Sequence, residues 1–95
     1  VRVPCKLEIA SEVQQDILDC DAAARRQIGD FLLELQDNPL SKDRRALSDG
    51  SFYIQLPCGF YLSWEIIGDL MRFALSGKTK GLLVRILGVA RVPPH

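Results

Sequence analysis

The sequence predicts one α+β domain: an N-terminal strand, then an αα-hairpin packed on one face of a mostly antiparallel sheet of four or five strands. Three observations predict it. Between residues 11 and 38, two segments carry apolar residues at helical spacing. Residues 52–67 alternate apolar and polar around Pro57-Cys58-Gly59, the pattern of an antiparallel hairpin. The run Leu82-Leu83-Val84-Arg85-Ile86-Leu87-Gly88-Val89-Ala90-Arg91 is apolar apart from its two arginines. With its β-branched residues and flanking Gly81 and Pro93-Pro94, it reads as a central strand of the kind covered on both faces. A chain of 95 residues fills one small core and is too short for two, so residues 1–95 form a single domain.

Residues 5–10 (CKLEIA) read as a short first strand with Leu7 and Ile9 inward. Ser11 follows as a helix N-cap, with Gln14 completing a capping box. Val13, Ile17 and Leu18 make the stripe of that helix, and Glu12 and Asp16 lie in its first turns, where carboxylates suit the dipole. Asp21 starts a longer helix whose apolar face is Ala24, Ile28, Phe31, Leu32 and Leu35. Asn38-Pro39 ends it, since proline disfavours helix in the residue before it. About 16 residues give a rod of roughly 24 Å, enough to cross a small sheet. Residues 40–50, with Lys42, Arg44 and Arg45, read as a solvated loop. In the hairpin, Phe52, Ile54, Leu56, Phe60, Leu62, Trp64 and Ile66 point to the core, and Tyr53, Gln55, Tyr61, Ser63 and Glu65 point away. Gly68-Asp69 is a turn, and residues 70–75 fit either a helical turn or a short strand. In the last run Leu82, Val84 and Ile86 share one face, and Leu83, Arg85 and Leu87 the other.

A hydrophobic share of 47% with 25% charged residues is that of an ordinary globular protein. No apolar run approaches the roughly 18 residues of a membrane span, and the first residues lack a signal-peptide core. Cys5, Cys20 and Cys58 form no C-x-x-C pair and the one histidine is His95, so zinc is not expected. Buried or idle thiols in a reducing cytoplasm fit better. The formal net charge is 0, yet residues 70–95 hold five Lys/Arg and no acid, leaving residues 1–69 at −5. A cationic segment of this kind is either an anion-binding face or a neutraliser of acidic helices beside it.

Three places could carry chemistry. Gly77-Lys78-Thr79 resembles the end of a P-loop, but Arg72 stands where that motif needs glycine, and a lysine-bearing turn describes it better. The open sheet face would gather Tyr53, Gln55, Tyr61, Ser63, Glu65 and Arg85 near the basic loop at residues 78–80. An arginine there can fork onto a phosphate and tyrosines can stack on bases. The plain alternative is a solvent-facing sheet in which Glu65 and Arg85 pair across strands. Arg91, at the rim where prolines end the strand, is either a ligand contact or an ordinary exposed arginine.

Taken together, the chain from about Lys6 to Arg91 resembles the RelE/ParE superfamily of type II toxin–antitoxin toxins. The resemblance rests on an opening strand ending in Ala10-Ser11 and an αα-hairpin ending in Asn38-Pro39-Leu40. It continues through Leu47-Ser48-Asp49-Gly50 and the hairpin Phe52-Tyr53-Ile54-Gln55 to Gly59-Phe60-Tyr61-Leu62-Ser63-Trp64-Glu65-Ile66, and closes on Val84-Arg85-Ile86-Leu87-Gly88-Val89-Ala90-Arg91. It implies a cytoplasmic bacterial growth inhibitor held by a cognate antitoxin. The target would be messenger RNA on the ribosome, as for RelE-like members, or DNA gyrase, as for ParE-like ones. The RNA route is a metal-independent endoribonuclease in which the ribose 2′-OH attacks its own phosphate, using Lys, Arg and Tyr as base, acid and phosphorane-binding groups. No metal or small-molecule cofactor is implied. Arg85, Arg91 and Tyr61 are then the expected catalytic set, with Arg72, Lys78, Lys80, Tyr53 and Gln55 on nucleic acid. Hairpin positions where RelE-like toxins carry arginine read Tyr53, Gln55, Tyr61 and Leu62. A RelE-fold protein that only binds other proteins is the alternative.

Overall fold

Periodicity places most elements where they fall. The computed structural model describes residues 5–79 and 81–94. Among these, β1 (Lys6–Ile9) leads into α1 (Ser11–Leu18) and α2 (Ala22–Asp37). Then follow β2 (Arg45–Ala46), β3 (Phe52–Gln55), β4 (Tyr61–Ile67), α3 (Leu70–Ser76) and β5 (Leu83–Ala90). The strands form one sheet in the order β1-β5-β4-β3-β2. β1 runs parallel to β5, and the other pairs are antiparallel.

The helices cover one face of this sheet. Ala24, Ile28, Phe31 and Leu35, four of the five apolar positions of α2, are buried. The last three meet Leu62 and Trp64 of β4 and Val84 and Ile86 of β5 in the core. Burial of each large side chain there contributes roughly 1.5–3 kcal/mol. Trp64 is at the centre: it is fully buried, edge-on to Phe31 at 5.5 Å and tilted against Phe52 at 6.1 Å. Its indole N–H donates to the Pro39 carbonyl at 3.2 Å, so the residue that stops α2 also satisfies the core's buried donor.

Asp21 caps α2 as its sequence suggests, accepting from the Ala24 N–H at 2.8 Å. The capping box expected from Ser11 and Gln14 does not form. Ala10 occupies the N-cap position of α1 without a side-chain cap, and Gln14 donates its amide back to the Ile9 carbonyl at 2.9 Å. The last carbonyl of β1 competes successfully for that side chain. Within residues 40–50, Arg45 and Ala46 depart from a plain loop and pair with Tyr53 and Phe52 as an edge strand. Residues 70–75 are helical: Asp69 accepts from the Arg72 N–H at 3.0 Å, and Gly77, left-handed at φ 70°, ends α3.

β5 is interior, between β1 and β4, but it is not covered on both faces. Val84, Ile86 and Val89 are buried, whereas Leu83 and Arg85 are half-buried and Leu87 is 41% exposed. All the apolar cover comes from the helical side, so an apolar run here reflects a bulge as well as burial. Ser63 pairs with Gly88 and Trp64 with Ile86, which leaves Leu87 as an extra residue. Beyond it the alternation is shifted by one.

Candidate functional site

The open face is built from alternate residues of four strands. The register sets Glu8 of β1 opposite Arg85 of β5, and Arg85 opposite Glu65 of β4. Side chains opposite one another on one face are close enough to pair, and these do. Arg85 Nε donates to Glu8 Oε1 at 2.9 Å and its Nη1 donates to Glu65 Oε1 at 3.0 Å. The hydrogen bond and charge of Glu8, then those of Glu65, raise the guanidinium above its ordinary pKa. Two carboxylates flank one cation, so this row of the sheet carries one net negative charge.

Tyr53 and Tyr61 lie diagonally on β3 and β4 with ring centroids 6.2 Å apart. Gln55 is directly opposite Tyr61. These three side chains help line a groove of about 750 Å³ at the end of the hairpin, where Asp30 and Glu34 of α2 and Asp43 also stand. Arg45 of β2 is the basic residue among its lining groups. The groove is therefore acidic with two phenols, a surface suited to cations and hydrogen-bond donors more than to phosphates.

Arg91 does not join Arg85. The bulge turns it to the helix side, where its guanidinium stacks 4.6 Å from the Phe60 ring centroid. The hollow around it, of about 580 Å³, is lined by Asp16, Asp19 and Asp21. Arg72 and Lys78 are exposed on and after α3, at the Ile67–Leu83 end of the β4–β5 pair, whereas Tyr61 is at the Ala90 end. The six residue steps of β4 separate the two ends by about 20 Å. The structure thus brings Tyr53, Gln55 and Tyr61 together, sets Arg85 on the same face but opposite Glu65, four residues along β4 from Tyr61, in the grip of two acids, and keeps Arg72, Lys78 and Arg91 elsewhere. Lys80 lies outside the described residues.

Sequence reasoning did not single out Glu8, Asp30, Glu34 or Asp43. Asp30 and Glu34 are four apart on one helix, a spacing that marks them as neighbours. Glu8 had no local signal, because its partner is reached only through the parallel β1–β5 pairing. Among the described residues no helix is long and apolar enough to cross a membrane.

Neither a family model nor a curated protein matches this sequence. Solved structures do. A chain of the intact Escherichia coli RelBE toxin–antitoxin complex superposes with a TM-score of 0.68 at 16% identity, over 95% of this chain and 99% of that one. The isolated E. coli RelE toxin gives 0.68 at 16% identity, over 96% and 87%. A double arginine mutant of E. coli RelE in the free state gives 0.66 at 14% identity, over 93% and 83%. Across nearly its whole length, this chain has the RelE fold.

Proposed function

We propose that this chain is the toxin-side member of a type II toxin–antitoxin pair, working in the cytoplasm and neutralised by a protein antitoxin, and that it does not act by RelE-type RNA cleavage. The fold supports the first part, since one of its structural neighbours is a toxin bound in a toxin–antitoxin complex. One observation carries the second. Arg85, the cation that would face the scissile phosphate, is hydrogen-bonded on both sides by Glu8 and Glu65. Cleavage through a 2′-OH attack builds negative charge on a phosphorane, and preorganised cations must already be aimed there. A row with net negative charge opposes that build-up. Tyr61 has no basic side chain opposite it, because Gln55 and Ala90 are its register partners.

The test is induced expression of the chain alone in a bacterial host, with growth, transcript 5′ ends and plasmid supercoiling measured together. Growth arrest with intact transcripts, relieved by co-expressing the product of the adjacent gene, is the expected result. New 5′ ends that disappear in Arg85→Ala would overturn the non-cleaving reading. Changed supercoiling would direct attention to gyrase, the ParE-like route, which asks for no phosphate contact at Arg85. Unimpaired growth would remove the toxin reading and leave a RelE-fold binding protein.

A further inference from the structure

We propose that the groove at the end of the hairpin takes an extended segment of a partner protein as an added antiparallel strand on β3, and selects basic residues on either side of the one that pairs. The proposal does not depend on the toxin reading. The Leu56 N–H donates to the Phe60 carbonyl across the β3–β4 turn at 2.8 Å. Backbone groups alternate sides along a paired strand, so Ile54 and Leu56 turn theirs toward β4, and Tyr53 and Gln55 turn theirs outward. The Leu47 N–H, which donates to the Ser51 carbonyl at 2.8 Å, fits the same alternation. Tyr53 is met on the outer side by Arg45, the first residue of β2. Asp43 would have to meet Gln55, but it lies in a turn where the Arg44 N–H donates back to the Ser41 carbonyl at 3.2 Å.

The outward N–H and C=O of Gln55 are therefore without a partner among the described residues. They open on the groove of about 750 Å³ that Gln55 lines together with Ser41 and Asp43. An unpaired strand edge is a template for another chain, and a single extended peptide can complete it.

Two-residue alternation fixes what such a strand would show to each side. The residue opposite Gln55 would share the open face with Gln55, Tyr53 and Tyr61. The residues before and after it would point to the helical side, where Asp30 and Glu34 of α2 line the groove. Those carboxylates are one turn apart, about 6 Å along the helix. Alternate residues of a strand are about 6.6 Å apart, so Arg or Lys at both flanking positions can reach one acid each. Nothing already present satisfies these acids. Both are exposed, and the ion pairs among the described residues belong to Arg85. Arg45, the cation in the lining, is opposite Tyr53 in the register and so stands on the other face. The lining holds three carboxylates and one guanidinium, a balance that repels a phosphate backbone and favours a basic peptide over RNA.

The experiment titrates the full chain into a fluorescently labelled, end-capped peptide, Ser-Gly-Arg-Val-Arg-Gly-Ser, and follows anisotropy at low salt. Saturable one-to-one binding is expected, weakened at least about fivefold in the Asp30→Asn, Glu34→Gln double variant. Methylating the backbone nitrogen of the peptide's valine removes the N–H that would pair with the Gln55 carbonyl and keeps both charges. It should also weaken binding at least about fivefold. Equal binding of the methylated peptide would reduce the contact to charge attraction and overturn the added strand. Equal binding by the double variant, no saturable binding, or displacement of the peptide by single-stranded RNA would each overturn the proposal as well. The methylated peptide is tested on the native chain, so the folding of a variant does not decide the outcome.

Discussion

Replacing Glu8 and Glu65 together by glutamine should convert the open face from phosphate-indifferent to phosphate-binding. The amide oxygens can still accept from Arg85, so the guanidinium keeps its place while both compensating charges disappear. In the native chain the two contacts at 2.9 and 3.0 Å leave the row at one net negative charge; in the double variant it carries one net positive charge. One new phosphate contact on a single strand steepens the dependence of log affinity on log salt by about 0.7. Between about 50 and 200 mM salt that corresponds to an extra loss of roughly 2.6-fold in affinity. Fluorescence anisotropy of a labelled single-stranded RNA, titrated across that range, measures the slope. Arg85→Ala in the otherwise native chain should leave the slope unchanged, since the native arginine has no free charge to offer. The reasoning fails if Arg85→Ala flattens the native slope, or if the double variant shows the native slope.

Other expectations concern the frame that carries this face. Trp64→Phe removes the donor to the Pro39 carbonyl and leaves a gap beside Phe31; urea unfolding followed by circular dichroism should show a loss of about 2–3 kcal/mol. Gly68→Ala would set a methyl group 2.6 Å from the Gly81 carbonyl at a φ of 128°, and the same assay should report at least about 2 kcal/mol lost. The Asp49 carboxyl is held below its ordinary pKa by the Ser51 hydroxyl and then the Ser51 N–H. Its contribution is therefore present above the unfolded value of 3.8 and is lost as pH falls through the lower folded value. Unfolding curves of the native chain and Asp49→Asn should stay a constant distance apart from neutral pH to about pH 4 and converge below it.

Much of this architecture was legible in residue order because its determinants are local. The stripe of α2, its Asp21 cap and its stop at Asn38-Pro39 all lie within a few residues of what they control. So does the alternation that assigns Tyr53, Gln55 and Tyr61 to one face and Trp64 to the other. What the sequence concealed depends on partners far along the chain. β2 has two residues, both exposed, so neither periodicity nor burial marks it. Alternation put Glu65 on the face of Arg85, but the tighter contact with Glu8 exists only because β1 and β5 run in parallel. The same holds for Arg91, whose direction follows from the pairing of Ser63 with Gly88 and Trp64 with Ile86.

That pairing has a consequence for how such a surface could change between relatives. Counting by twos from Arg85 leads to Arg91, so an unbroken strand would display both guanidiniums side by side with the tyrosines. The extra residue at Leu87 sends one of them to the opposite side of the sheet. Deleting Leu87 would leave Arg91 five places from Arg85, still on the helical side, so only a change of pairing that absorbs Leu87 into regular alternation would bring it to the open face. The number of positive charges that this face can present is thus governed by the pairing of one strand as much as by its composition.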